Sequence, residues 1–193
     1  MKFDMVFDVQ KAFRKVIKAF SYPGDIHSLA EEVQYMDHDW SCYPSTRLLM
    51  HMLLDTDTSF ALASSDSTLA VRFSNMTYCP CVDVREAAYI FVCGASSTSL
   101  QELIEQANEG TLKDPQLGAT MIIECEELSS SHQYRVQGPG IQTEKSIGIR
   151  MKEEWMLARN EKNKEFPLGI DLIFVDRKNN MMALPRTTRI ERN

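Results

Sequence analysis

The stretch Ala87 to Gly110, AAYIFVCGASSTSLQELIEQANEG, decides the fold class. Ala87 to Cys93 is an unbroken apolar run of strand length. Tyr89, Ile90, Phe91 and Val92 follow one another without a polar residue, which suits a strand covered on both faces. Gly94 closes the run. Ser97 or Thr98 then caps a helix in which Leu100, Leu103, Ile104 and Ala107 share one face and which Gly110 ends. A doubly covered strand leading into an amphipathic helix is the unit of an α/β domain.

Outward from this unit the pattern repeats. Ala119 to Cys125 is a second apolar strand, Thr58 to Ala63 an earlier one, and Tyr134 to Val136 a shorter one before the turn Gly138-Pro139-Gly140. Toward the amino end, Val9, Ala12, Phe13, Val16, Ile17 and Phe20 recur at helical spacing on one face, with Asp8 as the expected cap. That helix must stop at Tyr22-Pro23-Gly24, where Pro23 fixes φ and Gly24 supplies the positive φ of a type II turn. A short extended piece, Asp25 to Leu29, is expected next. Pro44-Ser45 opens a second helix over Arg47 to Leu54. A polar helix is expected from about Met151 to Arg159. Ile170 to Val175 and Met181 to Leu184 read as antiparallel neighbours inside the sheet, turned by Asn179-Asn180, which tolerate left-handed geometry. The whole is expected to be a single α/β domain over 1–193, three layers deep, with a mixed β-sheet.

Bulk properties exclude several function classes. The net charge of −6 carries no electrostatic footprint for nucleic acid. No stretch reaches the ~20 apolar residues that cross a bilayer. Asp4 and Asp8 interrupt what would be the core of a signal peptide. Cys42, Cys79, Cys81, Cys93 and Cys125 form no even framework. Buried reduced thiols and a cytoplasmic setting are expected.

Common catalytic signatures are absent: no nucleophile elbow, no dinucleotide glycine loop, no P-loop. Cys79-Pro80-Cys81 lacks the spacing of a redox pair and the second pair of a closed zinc site. Asp37-His38-Asp39 offers three ligand types in a row, but adjacent residues do not converge, so a solvated loop is expected. Glu124, Glu126, Glu127 and the pair Glu153-Glu154 read as solvent-facing charges. The arginines remain. Arg186 is the first residue after Pro185 at the end of an apolar strand, and ligand crevices open at strand ends. Two readings stand side by side there. Arg186 and Thr188, sharing a side if the strand continues past Pro185, bind an anion; or Arg186 caps the sheet through Asp171 or Asp176. Arg14 and Arg72 are further anion-binding candidates.

Five blocks carry a family resemblance: AFRKVIKAFSYPG (Ala12 to Gly24), GTLKDPQLGAT (Gly110 to Thr120), GPGI (Gly138 to Ile141), FPLGID (Phe166 to Asp171) and LPRTTR (Leu184 to Arg189). In order and spacing they resemble the PhnH family, from about Phe13 to Ile190. Its members are subunits of the bacterial carbon-phosphorus lyase system. The resemblance implies the fold of the large domain of PLP-dependent aminotransferases without the cofactor, a homodimer, and assembly with other lyase core subunits. It implies a part in displacing adenine from ATP by an alkylphosphonate, giving ribose 1-alkylphosphonate 5-triphosphate. It carries no catalytic residue over to this chain. Nor do Lys145, Lys152, Lys162 or Lys164 sit in a Schiff-base context, so no PLP is expected.

Three functions therefore compete: a docking subunit of the lyase complex, a protein that itself binds a phosphonate or nucleotide at Arg186, and a PLP enzyme, the last resting on fold analogy alone.

Overall fold

The computed structural model describes residues 3–37, 39–94, 96, 98–152 and 154–193. In chain order the elements are α1 (Phe7–Ser21), β1 (His27–Ser28), α2 (Ala30–Val33), α3 (Pro44–Leu53), β2 (Phe60–Ser64), α4 (Leu69–Thr77), β3 (Tyr89–Cys93) and α5 (Leu100–Gln106). There follow β4 (Thr120–Glu124), β5 (Glu127–Gln137), β6 (Lys145–Arg150), α6 (Met156–Lys162), β7 (Asp171–Val175), β8 (Asn180–Leu184) and β9 (Arg189–Arg192). The chain is thus mixed α/β. Its main sheet has the order β1-β8-β7-β4-β3-β2, with β2, β3, β4 and β7 parallel and β8 and β1 antiparallel to their neighbours. A second, antiparallel sheet has the order β6-β5-β9.

The apolar runs of the main sheet divide their side chains between two cores, as the period of two requires. Ile90, Val92, Met121, Ile123, Leu172 and Phe174 meet α5, α6 and the small sheet. Phe91, Cys93, Ile122, Ile173 and Val175 meet α1 to α4. This explains why these strands show no polar alternation. The sheet is therefore the middle of three layers, one outer layer being helical and the other helix plus small sheet.

Several expectations are corrected. Asp4, not Asp8, caps α1: its Oδ1 accepts from the amides of Val6 at 2.8 Å and Phe7 at 2.9 Å, while Asp8 Oδ2 accepts from the Asp4 amide at 2.9 Å. Ala12, Val16 and Ala19 form the buried stripe of α1, and Phe13 and Ile17 stay 50% and 51% exposed. The two alanines let the helix come close to its neighbours and rotate the apolar face partly outward. Ser99 caps α5, accepting from the Glu102 amide at 3.2 Å while Glu102 Oε2 accepts from the Ser99 amide at 3.2 Å; the helix ends at Gln106, short of Gly110. Ser97 lies outside the described residues. Strand β5 starts seven residues before Tyr134, and α6 begins at Met156, not Met151. Other expectations hold. Gly24 has φ +79° and the Asp25 amide donates to the Tyr22 carbonyl at 3.1 Å, closing the turn; Asn179 has φ +60° in the β7–β8 hairpin.

Candidate functional site

Two edges of the main sheet carry polar clusters. Because β8 runs against the parallel strands, its end at Leu184 lies opposite Leu172, at the amino edge. Arg186 therefore does not stand at the carboxyl edge, where ligand crevices of parallel sheets usually open. That edge belongs to Gly94, Glu124 and Asp176.

At the amino edge the strand does not continue past Pro185. Pro185 to Thr188 is a turn, closed by the Thr188 amide on the Pro185 carbonyl at 2.9 Å, and β9 starts at Arg189 in the other sheet. The expected alternation of Arg186 and Thr188 on one strand face is thereby overturned: proline at the strand end and a change of sheet break it. Arg186 is held by Asp171, the first residue of β7. Its amide donates to Oδ1 at 2.6 Å, and Nη2 and Nε donate to Oδ2 at 2.6 and 3.2 Å. Nη1 donates to the Pro115 carbonyl at 2.8 Å and Nη2 to that of Gly118 at 3.3 Å. A side chain at Gly118 would collide with the guanidinium and with the Gly169 carbonyl, so the GTLKDPQLGAT block needs glycine there. Arg186 thus ties the end of β8, the start of β7 and the lead into β4. Of the two readings in the sequence, this geometry is the sheet cap.

Behind the turn lies Arg159 of α6, only 1% exposed, which the sequence reading placed at the end of a polar helix. Nη1 donates to the Thr188 carbonyl at 2.6 Å and Nη2 to the Pro185 carbonyl at 2.7 Å, so one guanidinium holds both ends of the turn. Its Nε and the Thr188 hydroxyl are buried without a partner among the described residues. Burial pushes Arg159 down to about 10, and it stays charged at neutral pH. The turn forms part of a cleft of about 630 Å³, lined also by Asn160, Asn163, Lys164, Phe166, Leu168 and Arg189. A signal for Arg159 existed: Trp155, Met156 and Arg159 fall on one helical face, and all three are buried.

Asp171, Arg186 and Thr188 are therefore brought together, whereas Arg14 and Arg72 are not. Arg14 is an exposed residue of α1. Arg72, on α4, lies 5.3 Å from the Trp40 ring, and Arg47 lies 5.2 Å from the same ring. Both helices pack on the other face of the sheet.

At the carboxyl edge, Glu124 is not the solvent-facing charge expected of it. Its Oε1 accepts from the Tyr43 amide at 2.6 Å and the Thr46 hydroxyl at 2.7 Å, and its Oε2 from the Gly94 amide at 3.1 Å. Burial raises its pKa above the ordinary value despite these bonds. Tyr43 bridges onward, donating to the Cys125 carbonyl at 3.3 Å and accepting from Arg177 Nε at 3.4 Å. Cys125 is pushed up to about 12 by burial and the nearby Asp176, so its thiol is no nucleophile at neutral pH. The five thiols are unpaired and four are buried, but Cys81 is exposed, against expectation. His38, and with it the centre of the Asp37-His38-Asp39 trio, lies outside the described residues, as does Glu153 of the Glu153-Glu154 pair. Among the described residues no group of three or more His, Cys, Asp and Glu is placed to hold a metal. No helix there is long and apolar enough to cross a membrane.

Comparison with known proteins gives two findings. The family model described as "Bacterial phosphonate metabolism protein (PhnH)" matches residues 2–191. A protein of Stutzerimonas stutzeri named "Putative C-P lyase subunit protein HtxG" is 31% identical over 189 residues, covering 94% of this chain and 85% of that protein.

Proposed function

This chain belongs to the PhnH family of bacterial phosphonate metabolism proteins, and on that premise we propose that it works as a docking subunit of the carbon-phosphorus lyase core complex. In that complex it contributes to forming ribose 1-alkylphosphonate 5-triphosphate from ATP and an alkylphosphonate, and it is not catalytic alone. The observation that carries the docking role is the state of the most reactive-looking side chains. The Arg186 guanidinium is engaged by Asp171 and two carbonyls, the Glu124 carboxyl by two amides and a hydroxyl, and the Cys125 thiol is held protonated. These groups hold the fold and leave little for chemistry.

The surface supports association. Met5, Val6, Phe7, Phe13 and Ile17 expose half or more of their area on and beside α1. Large apolar side chains grouped on one surface helix favour contact with another chain. We assign this face to a homodimer, with other lyase core subunits as further partners, in the cytoplasm and as one domain over 1–193. The fold is that of the large domain of PLP-dependent aminotransferases used without the cofactor. An absorbance scan of the purified chain would reveal a bound aldimine if PLP were present.

The test is turnover. Purified alone, the chain is expected to be dimeric and to leave ATP and methylphosphonate unchanged, whereas adding the other core subunits produces the triphosphate. Robust conversion of either compound by the isolated chain would overturn the docking role.

A further inference from the structure

The cleft at the amino edge has a charge pattern that the docking role does not use. The chain as a whole carries −6. Yet Arg159, Lys164, Arg186 and Arg189 all line this cleft, with Glu191 as the acid beside them. Arg186 is neutralised by Asp171 at 2.6 Å. Glu191 lies 3.3 Å from Arg135, a residue outside the cleft. Among the described residues Lys164 pairs only with Glu161, at 3.3 Å, an exposed pair that holds its partners weakly. Arg189 has no ion pair among the described residues. Neither has Arg159, whose partners are two main-chain carbonyls and the Asn160 side chain.

A buried guanidinium held by neutral acceptors alone is unusual, because its desolvation is left without an opposing charge in contact. Here one donor of that guanidinium, Nε, and the hydroxyl of Thr188 beside it are both buried and unpartnered. The Thr187 amide and hydroxyl at the exposed crest of the turn have no partner among the described residues either. Cations and hydrogen-bond donors thus converge on one concave volume of about 630 Å³, large enough for a small ligand.

We propose that this cleft binds a phosphate-type tetrahedral oxyanion, free or at the end of a small molecule, with Lys164, Arg189 and Thr187 in contact and Arg159 supplying fixed positive charge behind the turn. Arg159 is a positioning residue. Its bonds to the Pro185 and Thr188 carbonyls fix the turn that presents Thr187 at the cleft. Low dielectric behind the turn strengthens the field of a charge that water does not screen. Arg186, by contrast, is spent on Asp171 and takes no part in contact. The site stands independently of the docking role, and either can fail without the other.

Calorimetric titration of the purified full chain tests it, with inorganic phosphate and methylphosphonate in separate arms and acetate at matched ionic strength as control. One phosphate or methylphosphonate per chain is expected, the tighter of the two naming the class, with acetate silent. The double variant Lys164→Glu, Arg189→Glu changes two exposed side chains and should fold as the parent does, which circular dichroism checks. It is expected to weaken binding by about tenfold or more. Absence of binding in both arms at roughly 10 mM ligand, or undiminished binding in the double variant, would overturn the site.

Discussion

Arg186 grips Asp171 through three hydrogen bonds, one from its own amide and two from its guanidinium, with the shortest at 2.6 Å. Both side chains are mostly shielded, at 16% and 17% exposure. Removing one partner strands the other's charge in a setting that water reaches poorly. Arg186→Ala or Asp171→Asn is therefore expected to cost about 3 kcal/mol of stability, measured by urea unfolding. Arg186→Lys should recover little of it, since an ammonium cannot reach Asp171, Pro115 and Gly118 as a planar fork does. Wild-type stability in Arg186→Ala would mean that the residue is held in reserve for another purpose.

Glu124 carries a pH dependence whose sign follows from burial. Its folded-state pKa is raised above the ordinary 4.5, so the folded chain keeps this proton after the unfolded chain has lost it. Its contribution is then greatest below that value and falls as pH rises through the folded-state pKa. Glu124→Gln removes the titration. The stability of wild type relative to this variant should decline from about pH 4.5 upward and level off once the carboxyl is ionised, as read from paired urea curves at several pH values. A difference that grew with pH would show that the amide and hydroxyl donors outweigh desolvation.

The capping box of α5 gives a local check. Ser99→Ala leaves the Glu102 amide without its acceptor and is expected to cost about 1 kcal/mol, with no effect on oligomeric state. Thermal unfolding monitored by circular dichroism is sufficient.

How much of this was legible in the residues varied with their chemistry. The parallel strands were, because Tyr89 to Cys93 and Asp171 to Val175 are buried on both faces and so carry long apolar runs. Of the small sheet only Tyr134 to Val136 was: the rest of β5 runs through Ser129 to Gln133, polar residues on a ladder whose side chains stay largely in solvent. At the junction after Leu184, Pro185 signals an end to the strand, but nothing in RTTR announces that the chain passes to another sheet. The direction of β8 is a tertiary fact, and with it the edge at which Arg186 stands. Asp171 was named as a partner of Arg186 because the hairpin puts them side by side. Arg159 was missed because a charged residue on a short helix ordinarily faces water, and only Trp155 and Met156 beside it hinted otherwise.

The exposed face of α1 bears on association. Phe13→Glu with Ile17→Lys places two charges on a surface that is half exposed in the single chain. The monomer's fold should survive, because Ala12, Val16 and Ala19 carry the buried stripe. Light scattering is expected to give a dimer for wild type and a monomer for the double variant. A variant that stayed dimeric would move the interface elsewhere.

Co-purification addresses the central claim most directly. With an affinity tag on this chain and the other carbon-phosphorus lyase subunits of its host expressed alongside, the docking role requires those subunits to elute with it at fixed stoichiometry through size exclusion. Elution of the tagged chain by itself, with all other subunits assembled into a complex that lacks it, would contradict that role.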